Sequence, residues 1–250
     1  MLSSIVASVQ FKPKPGDVDQ NINVAKQMCF EAAAKGAKLI VLPEMCTTGN
    51  EFKNRRDATL CSQDKRGYQT QAFQPIAQKF KCDIVFGYPE FSDGELYNSA
   101  AVVGPEGLVT NVRKHNLWGN DNFWAQTSDQ LPPVALTAAG RLGVLISRDI
   151  SNRFRESYTF YRPNQKFYQK GSVDTLAVLS NWDTEFGYPD TRWLDLSEST
   201  RSNIIVSNKV GTESNLKFRG GSCIIDRNKK IWTNGSSFED SAVVGGIIVL

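Results

Sequence analysis

Apolar and polar positions follow two periods along the chain. Alternation at every second residue over Ile5–Phe11 predicts a strand, and apolar spacing of three to four residues over Asp19–Lys35 predicts a helix that ends at Gly36. The same patterns recur towards the C-terminus. Further strands are predicted at Lys38–Leu42, Cys82–Gly87, Tyr97–Val103, Leu108–Arg113, Arg141–Ile146, Leu176–Leu179, Asn203–Ser207, Ser222–Asp226 and Ala242–Val249, and further helices at Gln69–Lys81, Phe154–Gln169 and Arg192–Ser202.

The order of these elements predicts an α/β protein. Strands and helices alternate in the first half, and Gly104-Pro105-Glu106-Gly107 suits a hairpin turn between two strands. We therefore expect mixed sheets covered by helices in one domain over residues 1–250. The longest irregular stretches are Thr47–Gly67 and Asn116–Pro133, and long connections in a compact domain are often functional.

Composition excludes several classes of protein. A net charge of +3 is too small to indicate nucleic acid or an anionic membrane as a partner. No run is long enough to span a bilayer, and the N-terminal residues lack the features of a signal peptide, so we expect a cytoplasmic protein. Five cysteines without a CxxC pair, and His115 as the one histidine, favour reduced thiols over a metal site or a disulfide framework.

Three reactive side chains each come within two residues of the end of a predicted strand: Glu44, Lys114 and Ser147. The carboxyl ends of strands are where α/β folds place ligands, so a carboxylate, an amine and a hydroxyl can meet at one sheet edge. Taken singly, each residue is more often an ordinary surface, cap or turn residue than a reactive one. The spacing alone therefore does not decide between chemistry and packing.

The segments around these residues resemble the nitrilase superfamily of carbon–nitrogen hydrolases. The matching segments are Leu42-Pro43-Glu44, Arg113-Lys114-His115 and Gly143–Asp149, followed in the family's order by Ser180-Asn181-Trp182, Ser207–Gly211 and Gly220–Asp226. The resemblance covers nearly the whole chain. It implies a four-layer α-β-β-α sandwich with two stacked mixed β-sheets, a homodimer or larger homo-oligomer, and no metal or organic cofactor.

In that family the first three segments supply a glutamate, a lysine and a cysteine nucleophile. The resemblance implies that Glu44 moves protons and that Lys114 holds the oxyanion, with the backbone N–H of Arg148 in support. The expected substrate is a small-molecule amide. Hydrolysis of a primary amide to a carboxylic acid and ammonia is the first expectation, with carbamoyl-amine or nitrile hydrolysis as alternatives.

The chain departs from the family pattern at the nucleophile, where Ser147 stands in place of cysteine. A hydroxyl is far harder to deprotonate than a thiol, and the histidine relay of serine hydrolases is missing, so we expect very weak turnover or none. Three interpretations stay open. The serine is a deliberate Cys→Ser change that traps substrate, or it marks a silent binding pseudoenzyme, or it is a working nucleophile.

A second departure concerns the loop after the lysine, where many family members carry a further glutamate. Here Asp121 is the nearest acidic candidate for a supporting role. Candidates for the substrate pocket are Trp118, Trp124, Asn181 and Trp182, with ordinary packing as the alternative for each tryptophan. Cys46 is predicted to be a packed thiol. The hypothesis requires Glu44, Lys114 and Ser147 to lie within hydrogen-bond reach of one another.

Overall fold

A computed structural model describes residues 2–150, 168, 170–183, 190–233 and 239–249 of the chain. Its strands are β1 (Leu2–Gln10), β2 (Leu39–Val41), β3 (Asp83–Ser92), β4 (Glu95–Gly104), β5 (Gly107–Arg113), β6 (Ala135–Thr137), β7 (Gly140–Ile146), β8 (Thr175–Leu179), β9 (Asn203–Ser207), β10 (Val210–Glu213), β11 (Leu216–Arg219), β12 (Cys223–Ile225), β13 (Ile231–Thr233) and β14 (Ser241–Val249). The α-helices are α1 (Val18–Ala34), α2 (Arg55–Cys61), α3 (Tyr68–Phe80), α4 (Asp121–Trp124) and α5 (Asp190–Thr200), and Ser147–Ile150 forms a 3₁₀ turn.

The strands build two six-stranded sheets, both mixed. The first has the order β14-β1-β2-β3-β4-β5, and the second has the order β13-β12-β9-β8-β7-β6. In the first sheet β1, β2 and β3 run parallel, while β4 and β5 continue as antiparallel neighbours. In the second sheet β7, β8 and β9 run parallel. Strands β10 and β11 form a separate hairpin.

The two sheets face each other across a buried apolar layer. The first sheet contributes Val6, Leu39, Val41, Val85 and Val102, and the second contributes Leu142, Val144, Ile146, Ala177 and Ile205. Because side chains alternate across a strand, each sheet also has an outer apolar face that must be covered. Helices α1 and α3 pack on the outer face of the first sheet, and α5 packs on that of the second. The predicted α-β-β-α sandwich is confirmed.

Long periodic segments were the easiest elements to predict, and short ones were missed. Helix α2 lies in the first stretch expected to be irregular, where Asn54 caps it by accepting a hydrogen bond from the Asp57 N–H. Only Ala58 of this helix is buried, so it has no apolar stripe for a pattern to detect. The predicted helix Phe154–Gln169 lies outside the described residues, apart from Tyr168. None of the described helices has the length and apolar character needed to cross a membrane.

The strand directions place the site at one edge of the sandwich. Strand β5 runs antiparallel to β4, which runs antiparallel to β3, so β2, β3 and β5 all end at the same edge. Glu44 follows β2 and Lys114 follows β5, and Asn98 lies near the start of the antiparallel β4 at this same edge. Strands β7 and β8 of the second sheet end before Ser147 and Asn181.

Candidate active site

Glu44 lies in a tight turn that rests directly on strand β3. The turn approaches so closely that a Cβ at Gly87 of β3 would lie 2.5 Å from the Met45 nitrogen and 2.8 Å from the Glu44 Cα. Met45 itself has a φ of 50°, a left-handed conformation that is uncommon for residues other than glycine. The missing side chain at Gly87 therefore permits the turn that buries the Glu44 carboxylate completely.

The Glu44 carboxylate connects the residues predicted for the site. Its Oε1 accepts a hydrogen bond from Lys114 Nζ at 2.7 Å, and its Oε2 accepts one from Ser147 Oγ. All three side chains are buried. The structure thus brings the predicted carboxylate, ammonium and hydroxyl together in one network at the sheet edge.

Two further side chains complete this network. Asp121 Oδ2 accepts a hydrogen bond from Lys114 Nζ at 2.5 Å, so one ammonium lies between two buried carboxylates. Asn98 donates from Nδ2 to Glu44 Oε1 at 2.7 Å and to Asp121 Oδ1 at 3.2 Å. The sequence singled out Asp121 but gave no signal for Asn98, since an asparagine inside a strand carries no local motif.

Ser147 sits in a constrained turn at the end of β7. Its φ is 42°, and its Oγ accepts a hydrogen bond from the Asn181 backbone N–H at 2.9 Å. A left-handed non-glycine residue persists only where the surrounding structure holds it. Asp149 supplies such a restraint, because its carboxylate accepts hydrogen bonds from the backbone N–H groups of His115 at 3.0 Å and Asn116 at 2.7 Å. The turn is thereby tied to the segment after Lys114.

Burial and neighbouring charges set the protonation of these groups. Burial alone would raise the pKa of Glu44, but the charge of Lys114 and the hydrogen bonds to the carboxylate lower it below its ordinary value. Burial opposes a charge on Lys114, yet the carboxylates of Asp121 and Glu44 raise its pKa. Burial raises the pKa of Asp121, with Lys114 opposing the rise. At neutral pH the site therefore holds a carboxylate base beside an ammonium.

Asp149 is a further buried carboxyl group near the site, and it makes no ion pair with Lys114 among the described contacts. Burial raises its pKa to about 7, although the backbone hydrogen bonds and Lys114 act in the opposite direction. Asp149 is the last residue of the segment Gly143–Asp149 that resembles the family. Its hydrogen bonds to the backbone of His115 and Asn116 become visible only in the folded structure. We regard Asp149 as a positioning residue, because its contacts are with backbone groups of the loops that carry the site.

The network opens into a cleft of about 500 Å³. The cleft lining includes Glu44, Lys114, Asp121 and Ser147, together with Asn50, Glu51, Trp118, Arg148, Asn181 and Trp182. The Arg148 guanidinium lies 4.3 Å from the ring centre of Trp118 and 4.5 Å from that of Trp182. The predicted pocket residues Trp118, Asn181 and Trp182 therefore do line the cleft, and Arg148 lies between the two indoles.

Trp124 has a different position from the one predicted. It is only 1% exposed and belongs to a buried cluster with Met45, Ala58 and Leu96. Its ring packs edge-on against Phe52 at a centroid distance of 5.2 Å. The structure therefore places Trp124 in this packed cluster, and the described lining of the cleft does not include it. Cys46 is a fully buried thiol, as predicted.

The side chains of the site include groups that can take part in acyl chemistry. Among the described residues, no group of three or more histidine, cysteine, aspartate or glutamate side chains is arranged to hold a metal ion. A hydroxyl beside a carboxylate, with an ammonium at the same carboxylate, has the parts needed for nucleophilic attack on an acyl carbon and for oxyanion stabilisation. The α-β-β-α sandwich and the residues at its edge together fit a class of hydrolase.

Comparison with known proteins gives the family. Residues 5–165 match the carbon-nitrogen hydrolase family, and the chain belongs to this family within the nitrilase superfamily. It is 27% identical over 260 residues to the protein N-terminal amidase of Schizosaccharomyces pombe, covering 87% of this chain and 89% of that protein. It is 28% identical over 243 residues to a nitrilase of Pyrococcus abyssi, covering 97% and 88% of the two chains.

Solved structures show the same architecture. The glutamine-dependent NAD+ synthetase of Acinetobacter baumannii superposes with a TM-score of 0.78 at 27% identity, and the match covers 98% of this chain but only 45% of that one. An amidase from Nesterenkonia sp. AN1 superposes with a TM-score of 0.75 at 16% identity, covering 96% and 92% of the two chains. The second likeness concerns the fold alone.

Proposed function

We propose that this chain has an amidase site, which hydrolyses a primary amide to a carboxylic acid and ammonia. Glu44, Lys114 and the side chain at position 147 are its reacting groups. The observation that carries the proposal is the buried hydrogen-bond network in which Glu44 accepts from both Ser147 Oγ and Lys114 Nζ at the floor of the cleft. Relatives with amidase and nitrilase names favour carbon–nitrogen bond hydrolysis.

The proposed reaction has two halves. The side chain at position 147 attacks the amide carbon, Glu44 takes the proton from the attacking group, and the carbonyl oxygen gains negative charge beside Lys114. The carbon–nitrogen bond then breaks, Glu44 gives the proton to the leaving nitrogen, and ammonia departs. Water next attacks the resulting ester or thioester with Glu44 again as the base, which releases the acid and regenerates position 147.

Serine at position 147 limits the first half. Glu44 has its pKa lowered and is a weak base, so it suits a thiol far better than a hydroxyl. We therefore propose that the chain as written binds an amide and turns it over very weakly. A small-molecule substrate and assembly as a homodimer or a larger homo-oligomer also belong to this proposal.

Ammonia release from primary amides, carbamoyl compounds and nitriles tests the proposal, with the chain compared to Ser147→Cys and Ser147→Ala. We expect Ser147→Cys to release ammonia faster than the parent by about 10²-fold or more, because an activated nucleophile dominates such reactions. Ser147→Ala is the matched control and should stay silent. Equal activity of parent and Ser147→Cys, with Ser147→Ala silent, would show a working serine. Silence of all three would contradict hydrolysis and favour a binding protein.

A further inference from the structure

One buried carboxylate lies close to the site and takes no part in the proposed reaction. Glu90 is fully buried and lies near the end of β3. Tyr88, two positions earlier on the strand, packs in the apolar cluster on the outer face of the first sheet. Because side chains alternate along a strand, Glu90 faces the same outer side. Asn98 shares its face with the inner-layer residue Ala100, so Glu90 and Asn98 lie on opposite faces of the sheet.

Four hydrogen bonds converge on the Glu90 carboxylate. Its Oε2 accepts from Ser99 Oγ at 2.7 Å, from Asn111 Nδ2 at 2.8 Å and from Arg113 Nε at 2.9 Å. Its Oε1 accepts from Arg113 Nη2 at 2.7 Å. Burial alone would raise the pKa of Glu90, but the hydrogen bonds from Arg113 and Ser99 lower it below its ordinary value. We call these four residues the rear cluster, and its carboxylate is charged at neutral pH.

Two members of the rear cluster are direct chain neighbours of residues in the site. Ser99 follows Asn98 in β4. Arg113 is the last residue of β5 and precedes Lys114. Ser99 and Arg113 lie opposite each other in the β4–β5 ladder. The Glu90 carboxylate therefore fixes this last pair of the ladder from behind the sheet.

The two neighbouring residues in the site are the donors that hold Glu44. Asn98 Nδ2 and Lys114 Nζ both donate to Glu44 Oε1 at 2.7 Å. The backbone that carries them is also joined, because the Lys114 N–H donates to the Asn98 carbonyl at 2.8 Å. A shift of either strand end would therefore move both donors relative to Glu44.

Stability alone does not account for an ion pair at this place. Taking a carboxylate and a guanidinium out of water costs free energy, and apolar side chains of similar size often stabilise a fold as well or better. Apolar side chains such as Phe86 already pack on this outer face. What directed hydrogen bonds add is a single fixed arrangement of the strand ends that they join.

We propose that Glu90 is a positioning residue for the proposed reaction. It holds the ends of β4 and β5 so that Asn98 and Lys114 both reach Glu44. This inference rests on the proposed function and adds a residue that acts only through others. With both donors in place, the Glu44 carboxylate stays charged and can accept a proton. When the donors shift, the pKa of Glu44 rises, because burial then acts with less opposition.

The pH dependence of the nucleophile tests this role in the full chain carrying Ser147→Cys. Iodoacetamide, itself a primary amide, forms an S–C bond with the introduced thiol and releases iodide. Mass spectrometry of the peptide that contains position 147 gives the rate at each pH. Ammonia release from the amides gives a second profile. Among the described residues, the charged side chains beside Glu44 are Lys114 after β5 and Asp121 in α4.

Glu90→Gln keeps the size of the side chain and removes its charge. We expect the acid limb of both profiles to move to higher pH by roughly one unit. The direction follows because Glu44 must be ionised before it can take the proton of the thiol, and its pKa rises when Asn98 and Lys114 shift. Thermal unfolding of the same variant records the loss of stability separately.

Asp83→Asn is the matched control. Asp83 is 4% exposed and lies at the start of the same strand, about 23 Å from Glu90 along β3. Its Oδ2 accepts from the Ala138 N–H at 2.8 Å. Both substitutions turn a buried carboxyl group into an amide and both disturb the fold, but only Glu90→Gln should move the pH profile.

Ser99→Ala covers the case in which Glu90→Gln does not fold. It deletes one hydroxyl and one of the hydrogen bonds to Glu90, while the other three remain. We expect a shift of the acid limb in the same direction, by roughly 0.3 units.

The outcomes separate this inference from the proposed function. If Glu90→Gln lowers the thermal stability but keeps the parent profile, the positioning role is overturned. An equal shift in Asp83→Asn also overturns it, because a general loosening of the fold then explains both variants. Where Glu90→Gln does not fold, an unshifted profile in Ser99→Ala has the same meaning. If Ser147→Cys releases no ammonia from any amide, the proposed function fails, and alkylation still tests Glu90 without turnover.

Discussion

At the scale of single residues, the site is a balance between two carboxylates and one ammonium. Lys114 donates to both Glu44 and Asp121, and Asn98 donates to the same two carboxylates. The pKa of Glu44 is lowered while that of Asp121 is raised. We infer that the two carboxylates are not equivalent, and that Glu44 is the one which keeps its charge most readily.

Removing the charge of Asp121 should weaken the site through Lys114. In the Ser147→Cys background, we expect Asp121→Asn to lower kcat by about tenfold, less than the cost of deleting a direct oxyanion donor. Because the Asp121 carboxylate raises the pKa of Lys114, the alkaline limb of the pH–kcat profile should also move to lower pH. Steady-state kinetics across a pH series measure both effects.

Asp129→Asn is the matched control for this prediction. Asp129 lies in the same connection between β5 and β6 and is exposed, so its loss should change neither kcat nor the position of the alkaline limb. An unchanged profile in Asp121→Asn would show that the aspartate contributes only to folding.

At the scale of elements, the site depends on how closely loops approach strands. The turn after β2 rests on β3 at Gly87, and the turn after β7 is joined through Asp149 to the loop after β5. Each reactive side chain is therefore fixed by an element that is distant in sequence. The turn that carries Ser147 and the turn that carries Glu44 belong to different sheets, so the two sheets must stack before these side chains can form their hydrogen bond.

A side chain at Gly87 should disturb this arrangement. The Cβ in Gly87→Ala would meet backbone atoms of Glu44 and Met45 at less than 3.0 Å, and backbone cannot move aside as a flexible side chain can. We expect the free energy of unfolding to fall by about 1–3 kcal/mol, as overpacking does elsewhere. Urea unfolding measures the loss, and amide binding should weaken in parallel because Glu44 is displaced.

Gly246→Ala offers the comparison within a strand. Gly246 lies in β14, and the nearest atom to a Cβ there is the Ser3 Oγ at 3.9 Å, an ordinary contact. Its unfolding free energy should change by no more than about 1 kcal/mol. A similar loss of unfolding free energy in both variants would show that replacing any strand glycine has this cost. The close approach of Glu44 to Gly87 would then not explain the effect of Gly87→Ala.

At the scale of the whole molecule, a second buried ion pair joins distant parts of the chain. Lys209 directly precedes β10 and Glu213 is its last residue. Glu213 also accepts from the backbone N–H groups of Asn50 and Glu51 in the loop after β2. Lys209 is fully buried. The hairpin of β10 and β11 is thereby connected to the loop that carries Asn50 and Glu51.

Breaking this pair from one side should destabilise the protein. Lys209→Met leaves the Glu213 carboxylate buried without its cation, and we expect a loss of about 3–5 kcal/mol in unfolding free energy. The double variant Lys209→Met/Glu213→Gln should recover part of the loss, because no uncompensated charge remains. Urea denaturation of the single and double variants measures the coupling.

The exposed pair of Lys229 and Glu198 provides the control. Its atoms are 3.2 Å apart, but the side chains are 56% and 69% exposed. Lys229→Met should therefore cost less than about 1 kcal/mol. Equal costs for the buried and the exposed pair would contradict a stabilising role for the Lys209–Glu213 connection.

The sequence by itself determined the features that depend on local patterns. The periods of apolar residues predicted most strands and the helices α1 and α3, because a buried face repeats along the chain. The ordered motifs led to the sandwich and to its family, now shown by the match over residues 5–165. They also singled out Glu44, Lys114 and Ser147 for the site, although their chemical roles remain a proposal.

Tertiary structure decided everything that needs contact between distant residues. Asn98 joined the network because antiparallel β4 brings it to the edge where β2 and β5 end, and no local pattern encodes that register. Trp124 packs in a buried cluster against the partly buried Phe52, and no local pattern distinguishes this position from a place in the cleft lining. The backbone of Asn50 and Glu51 is held by Glu213, a residue far along the chain that accepts from both of their N–H groups. Periodicity reports which face of an element is buried, whereas the partner on that face is set by packing.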